Sequence, residues 1–112
     1  MEIYNIHLSK LIDIFAGMNI KLDLKKIEKI SKALGDPFRL KMMDMIKRQK
    51  NPCQCTAIVE SLELAQSTIS HHIKQLVDAD LLIAEKDGRN ASYQINKEVL
   101  GAYIKFLNQY ES

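Results

Sequence analysis

Hydrophobic residues recur at helical spacing between residues 65 and 82, with polar residues between them. Four apolar positions fall at i, i+4, i+7 and i+8, which is the spacing of one buried helix face. They are Ile69, Ile73, Leu76 and Val77. The opposite face offers short or planar hydrogen-bonding side chains, those of Gln66, Ser67, Ser70, His71 and Lys74. Because such donors and acceptors can read base edges in a major groove, the segment is predicted to be a DNA recognition helix.

The same periodicity predicts three helices in the first half of the chain. Residues 3–18 are apolar on more than one side, which is typical of a helix that is buried or paired with a partner. A second helix covers residues 23–34, with Gly35 at its C′ position. Its inward residues are Leu24, Ile27, Ile30 and Leu34. Asp36 as N-cap and Pro37 at N1 begin a third helix. The residues that it is predicted to bury are Phe38, Leu40, Met42, Met43 and Ile46.

A short helix is predicted directly before the recognition helix. Thr56 can cap residues 57–62, and residues 63–65 are a tight connection. Two short helices joined by such a turn form a helix-turn-helix, here over residues 56–76.

The residues after the recognition helix predict a hairpin and a last helix. Residues 81–85 and 92–96 favour two strands, and the Asp87-Gly88 pair between them is a strong hairpin signal. A hairpin that follows a helix-turn-helix is a wing, here over residues 81–96. Residues 97–110 then predict an amphipathic helix.

Length and composition indicate one domain over residues 1–112. The 4 Gly and 2 Pro are too few for long loops or an all-β architecture. The expected fold is mainly α, a winged helix-turn-helix with about six helices and a two-stranded β-hairpin wing. No apolar run reaches the roughly 18 residues that span a bilayer, and no signal peptide is evident, so a cytoplasmic protein without membrane contact is expected.

Charge is distributed unevenly along the chain. Residues 21–50 hold ten Lys/Arg against four Asp/Glu, whereas residues 51–112 hold five against eight. The basic excess lies ahead of the recognition helix, where it could grip phosphates. A solvated lysine-rich helix face explains the same excess equally well.

Three segments together resemble the arsenic-repressor (ArsR/SmtB) family of winged-helix transcriptional regulators: residues 33–46, 62–82 and 86–95. The resemblance implies a homodimer built from residues 1–20 and 97–110, and a repressor that an effector releases from DNA. It also implies recognition helices in successive major grooves of a pseudo-palindromic operator in double-stranded DNA. The DNA contacts that it implies are Gln66, Ser67, Thr68, Ser70, His71, Lys74 and, at the wing tip, Arg89.

Three residues of the recognition-helix segment carry expectations of their own, namely Ala65, His71 and His72. Ala65 stands where the family usually has Ser, and Ala cannot cap the helix, so slightly weaker anchoring and the loss of a phosphate contact are expected there. His71 and His72 are adjacent, and neighbouring helical residues point about 100° apart, so the two cannot chelate one ion. We therefore expect His71 to contact DNA and His72 to have a structural or hydrogen-bonding place.

Cys53 and Cys55 resemble the cysteines with which many family members sense soft metals or arsenite. The family pattern, however, places the thiols one position later, at residues 54 and 56. The favoured interpretation is an extended segment with both thiols on one side, where they fill the core as small hydrophobes. Two alternatives stay open: a soft metal or metalloid bound with help from His7, and thiol oxidation. No other cofactor or metal is expected.

Two other function classes compete with a repressor. A winged-helix protein-interaction module without DNA binding is favoured by the near-neutral charge of residues 65–94, which hold three Lys/Arg and four Asp/Glu. An enzyme is not expected, because the chain offers no Ser/His/Asp arrangement, no glycine-rich phosphate loop and no evident carboxylate pair.

Overall fold

The computed structural model describes residues 22–49 and 53–111, apart from the side chains of Cys53, Cys55, Thr56 and Val59. The elements of this part of the chain are α1 (Leu24–Leu34), α2 (Pro37–Arg48), β1 (Cys53–Gln54), α3 (Cys55–Leu62), α4 (Gln66–Asp78), β2 (Leu82–Asp87), β3 (Asn90–Ile95) and α5 (Lys97–Asn108). They confirm the predicted mainly helical winged helix-turn-helix. The predicted first helix over residues 3–18, and His7 within it, lie outside the described residues.

The junction between α1 and α2 differs from the prediction at Gly35. Gly35 is the C-cap of α1 with φ −86°, so it does not occupy the left-handed C′ position. A left-handed cap would satisfy the last carbonyls of the helix with backbone N–H groups. Here the Arg39 side chain donates to two of these carbonyls, those of Lys32 and Ala33, and α2 begins at once after Asp36.

Asp36 caps α2 as predicted. Its Oδ1 accepts hydrogen bonds from the backbone N–H groups of Phe38, at 2.8 Å, and Arg39, at 3.2 Å. Partial desolvation raises the pKa of Asp36, but these two bonds and the positive charge of Arg39 outweigh it, so the pKa lies below its ordinary value of 3.8. The ionised cap therefore stabilises the fold at pH values above the ordinary pKa of Asp36. This contribution is lost as the pH falls through the lowered pKa of the folded state.

We expect Asp36→Ala to lower the free energy of unfolding at pH 7 and to lower it less at pH 3. The difference shrinks because the wild-type carboxylate loses its advantage over the unfolded state as it becomes protonated. Urea unfolding at both pH values measures this. Asp36→Asn is the control, because Asn caps a helix without titrating. An equal loss for Asp36→Ala at both pH values would contradict the prediction.

The core lies between α1, α2, α3, α4 and the start of the wing. Its most deeply buried large residues are Ile30, Met42, Ile58, Ile69, Leu76 and Leu81. Two predicted core residues are exposed: Leu24 by 77% and Leu40 by 51%. Leu40 is two residues from Met42, and two helical residues are about 200° apart, so only one of them can face the core. Leu24 is the first residue of α1 and is not covered by any described residue.

The wing is an antiparallel pair in which Leu82 is opposite Ile95 and Asp87 is opposite Asn90. The connection is therefore only Gly88-Arg89, shorter than the six residues, 86–91, that lie between the predicted strands. Gly88 has φ +63°, and no positive φ is found at Arg89. Positive φ at the first of two loop residues is typical of a type II′ turn, which requires Gly there. Both strands consequently extend to the tip of the hairpin.

The segment around the two cysteines also differs from the prediction. Cys53 and Gln54 form β1, which pairs with Tyr93 and Ser92 of β3 and makes the sheet three-stranded. Cys55 is already the first residue of α3, whose N-cap Gln54 makes no side-chain capping bond. The predicted extended run through Cys55 and the predicted cap by Thr56 are therefore wrong. Strand alternation ends with β1, so it no longer places the two cysteines on one side.

Candidate DNA-binding surface

α3 and α4 form the predicted helix-turn-helix. Glu63 ends α3 in the left-handed conformation, with φ 53°, and α4 begins three residues later, at Gln66. The inward face of α4 holds Ile69, Ile73 and Leu76, all buried, while Val77 is half-buried. This apolar face packs α4 onto the core and leaves its other side to solvent.

The solvent side of α4 collects the polar residues that were predicted to contact DNA. All six side chains are exposed: Gln66, Ser67, Thr68, Ser70, His71 and Lys74. Gln75 is exposed as well, and it was missed, although it lies four residues after His71 and therefore on the same side of the helix. An amide can donate and accept at once, so Gln75 extends the hydrogen-bonding surface toward the end of α4.

α4 begins without a side-chain cap, as predicted from Ala65. Ala65 is its N-cap residue and makes no side-chain hydrogen bond, while its carbonyl accepts from the Ile69 N–H at 3.1 Å. The helix is thus held at its start by backbone bonds and by the burial of Ile69.

Lys74 has an intramolecular partner. Its Nζ donates to Asp78 Oδ2 at 2.7 Å, and this hydrogen bond is the main reason why the pKa of Asp78 is lowered. Because both side chains are exposed, water and salt screen the pair, and it contributes little. Lys74 can therefore exchange Asp78 for a phosphate at small cost.

Part of the basic excess of α1 and α2 is engaged within the protein. Lys26 forms an ion pair with Asp80, which follows α4 in the left-handed conformation, and this pair ties the end of α4 to α1. Exposed pairs also join Lys32 to Glu28 and Arg48 to Asp44. The uneven charge of the sequence therefore overstates the positive charge available to a nucleic acid.

His72 lies beside the exposed surface and is half-buried. Its ring stacks with that of Phe38 at a centroid distance of 6.1 Å, and its Nδ1 lies 3.1 Å from Arg39 Nη1. The predicted hydrogen-bonding place of His72 agrees with these contacts. His71, by contrast, is exposed to solvent on the adjacent side of α4.

Arg89 lies exposed in the two-residue turn at the wing tip. We expect Arg89→Ala to weaken binding to all DNA sequences alike and to lower the slope of log affinity against log salt by about one unit, because one phosphate contact is lost. Anisotropy titrations at several salt concentrations measure this slope. Arg89→Lys, which keeps the charge, should keep the slope. A slope that Arg89→Ala leaves unchanged would place Arg89 off the DNA.

The part of the chain that the structure describes holds neither a metal-binding cluster of side chains nor a membrane-spanning helix. Within it, no group of three or more His, Cys, Asp or Glu side chains is arranged to hold a metal ion. Among the helices of residues 22–49 and 53–111, none has the length and hydrophobicity that crossing a membrane requires.

Comparison with known proteins shows which family of proteins this chain is similar to. The model of the arsR family of bacterial regulatory proteins matches residues 36–84, from the N-cap of α2 into β2. The arsenical resistance operon repressor of Staphylococcus xylosus is 34% identical over 88 residues, which are 79% of each chain.

Solved structures share the fold. A crystal structure of an ArsR family transcriptional regulator has a TM-score of 0.72 at 22% identity, over 82% of this chain and 93% of its own. The homodimeric winged helix-turn-helix DNA-binding domain from Mycobacterium bovis, solved by NMR, has a TM-score of 0.62 at 20% identity, over 79% and 81%. These structures confirm the winged helix-turn-helix fold, and the repressor from Staphylococcus xylosus confirms the resemblance seen in the sequence and the expected role as a transcriptional regulator. The chain belongs to the arsR family of bacterial regulatory proteins.

Proposed function

We propose that this protein is a homodimeric, sequence-specific DNA-binding repressor of transcription. The observation that carries the proposal is the two-sided α4: Ile69, Ile73 and Leu76 anchor one side in the core, and the other side presents only exposed polar side chains. A helix fixed in this way can lie in a major groove with its donors and acceptors against base edges. Arg89 at the wing tip would then reach a phosphate or a minor groove.

The homodimer is supported by α5. Ile104 and Leu107 of α5 and Tyr110, which follows the end of this helix, are exposed by 50%, 44% and 73%, and such a row of large apolar side chains is unusual on a surface. The related domain from Mycobacterium bovis is homodimeric. A second copy of this chain is therefore the occupant that we propose for this face, and two copies would read a pseudo-palindromic operator.

Selection from a random duplex pool tests the proposal and does not require the operator to be identified first. The full chain should enrich duplexes with two related half-sites, separated by about one helical turn or a multiple of it. Its affinity for a selected duplex should exceed that for a scrambled duplex by about a thousandfold or more. If no sequence is enriched, or if both duplexes bind equally and only through salt-sensitive contacts, a protein-interaction module is the better conclusion.

Release by an effector belongs to the same proposal, with Cys53 and Cys55 as the residues to test. Relatives of this chain are arsenical resistance operon repressors, and thiolates are good ligands for soft metals and metalloids. Cys53 lies in β1 and Cys55 begins α3, so neither is on α4 or at the wing tip.

We expect a variant with both Cys53→Ser and Cys55→Ser to bind the selected duplex with nearly the wild-type affinity. Any release of the wild type by arsenite, cadmium, zinc or peroxide should be absent in this variant, because no thiolate remains to bind a soft ion or to be oxidised. Anisotropy titrations of reduced protein with each reagent measure both effects. Release that persists in the double variant would exclude these cysteines as the sensor.

A further inference from the structure

The side chain of Arg39 joins three helices. Its Nε donates to the Ala33 carbonyl at 2.6 Å, and its Nη2 donates to the Lys32 carbonyl at 3.1 Å. Both carbonyls belong to the last turn of α1, the negative end of the helix, where a cation is favoured. Two bonds from a planar fork hold the guanidinium in one orientation. Its remaining Nη1 is thereby directed at His72 of α4, 3.1 Å away.

The chemistry of the two groups determines the direction of this hydrogen bond. A guanidinium has donors and no acceptor, so His72 Nδ1 must be the acceptor. The imidazole in this bond is therefore neutral and carries its proton on Nε2. The ring is also held by stacking with Phe38. Together Arg39, His72, Phe38 and the carbonyls of Lys32 and Ala33 form what we call the Arg39 cluster.

The Arg39 cluster restrains α4 in a way that the core does not. Burial of Ile69, Ile73 and Leu76 keeps α4 on the protein, but apolar packing has no directional preference. A hydrogen bond does, because it weakens steeply when its angle departs from linearity. A rotation of α4 by about 15° about its axis would move side-chain tips by roughly 1.5 Å, since they lie about 5–6 Å from that axis. Such a shift breaks hydrogen bonds to bases and is tolerated by contacts to phosphates.

We propose that Arg39 and His72 are positioning residues that set the rotation of α4, and with it the sequence selectivity of the protein, without touching DNA. This inference rests on the proposed function. Arg39 is in α2 and is turned toward α1 and His72, so its contribution is distinct from that of the exposed polar residues of α4.

Two substitutions remove the directional bond in different ways. His72→Leu deletes the acceptor, and Arg39→Lys keeps the charge but loses the fork. In both, the ratio of affinities for selected over scrambled duplex should fall about tenfold, as expected when a hydrogen bond to a charged group is lost. Affinity for the scrambled duplex and the salt slope should stay at wild-type values. His72→Asn should keep the ratio within about twofold, because the Asn oxygen can occupy the place of Nδ1 and accept from Arg39.

Arg48→Lys is the matched control, since it makes the same change on the same helix in an exposed pair with Asp44. Urea unfolding of each variant accompanies the binding measurements. Should His72→Leu fail to fold, Arg39→Lys decides the matter. The inference is overturned if Arg39→Lys keeps the wild-type ratio, if His72→Asn loses as much as His72→Leu, or if binding to both duplexes falls in parallel with stability. If the wild type shows no selectivity, the proposed function fails together with the inference. The other contradicting outcomes overturn the inference alone, because they can be observed only when the wild type is selective.

Discussion

Replacing Ser70 or His71 by Ala is expected to weaken binding to the selected duplex by about 1–3 kcal/mol, the cost of a lost base contact. Binding to a scrambled duplex should hardly change, because phosphates and not bases dominate non-specific affinity. Both side chains are exposed on the solvent side of α4, so their removal creates no cavity in the core. Anisotropy titrations against the two duplexes at one salt concentration measure the ratio of the two affinities directly.

Ser61→Ala provides the matched control for Ser70→Ala. Ser61 is an exposed serine of α3 whose Oγ donates to the Ala57 carbonyl at 2.9 Å. Ser61→Ala makes the same chemical change in the neighbouring helix, and we expect it to leave the ratio of affinities for the selected and scrambled duplexes unchanged. Equal losses on selected and scrambled duplexes after Ser70→Ala or His71→Ala would show that these residues do not read bases.

Ile69→Ala is expected to lower the free energy of unfolding by about 2–5 kcal/mol, the range for truncation of a fully buried aliphatic residue. Ile69 is 0% exposed and lies in the core cluster with Ile30, Met42 and Leu76. Its loss leaves a cavity beneath α4, which has no side-chain cap at its start. The total free energy of unfolding of a single domain of this size is only about 5–15 kcal/mol, so Ile69→Ala removes a large part of it.

Urea unfolding at one fixed protein concentration measures this loss, because a dimer would couple stability to concentration. Ile83→Ala is the control. It deletes the same atoms from a side chain of β2 that is 38% exposed, and it should cost clearly less, under about 1.5 kcal/mol. A loss for Ile69→Ala no larger than that for Ile83→Ala would contradict the central place of α4 in the core.

Local signals are sufficient for the start of α2 and for the main periodicities. Asp36-Pro37 predicts the start of α2, because an N-cap carboxylate and a proline at N1 act within one turn. The repeat of Ile69, Ile73 and Leu76 predicts which side of α4 is buried. Each of these signals depends on residues that are close in sequence, so each acts independently of the tertiary structure.

Errors arise where a distant partner decides the local structure. Cys55 is predicted to be extended, but β1 pairs with Tyr93 and Ser92 of β3 only through Cys53 and Gln54, and α3 begins at Cys55. Leu40 is an error of a different kind, because its helical phase relative to Met42 is a local signal that already places it on the opposite side of α2. The wing turn is predicted too long, because the register of β2 with β3 determines where pairing stops.

Family, fold class and the polar side of the recognition helix follow from the order of the residues, because helical periodicity, capping and hairpin chemistry are local. The cluster around Arg39 does not. Arg39 and His72 are 33 positions apart, and no spacing rule relates them. Only the packing of α1, α2 and α4 against one another brings the guanidinium, the last carbonyls of α1 and the imidazole together. The sequence therefore predicts which residues face DNA, while the tertiary structure decides what holds them at their angle.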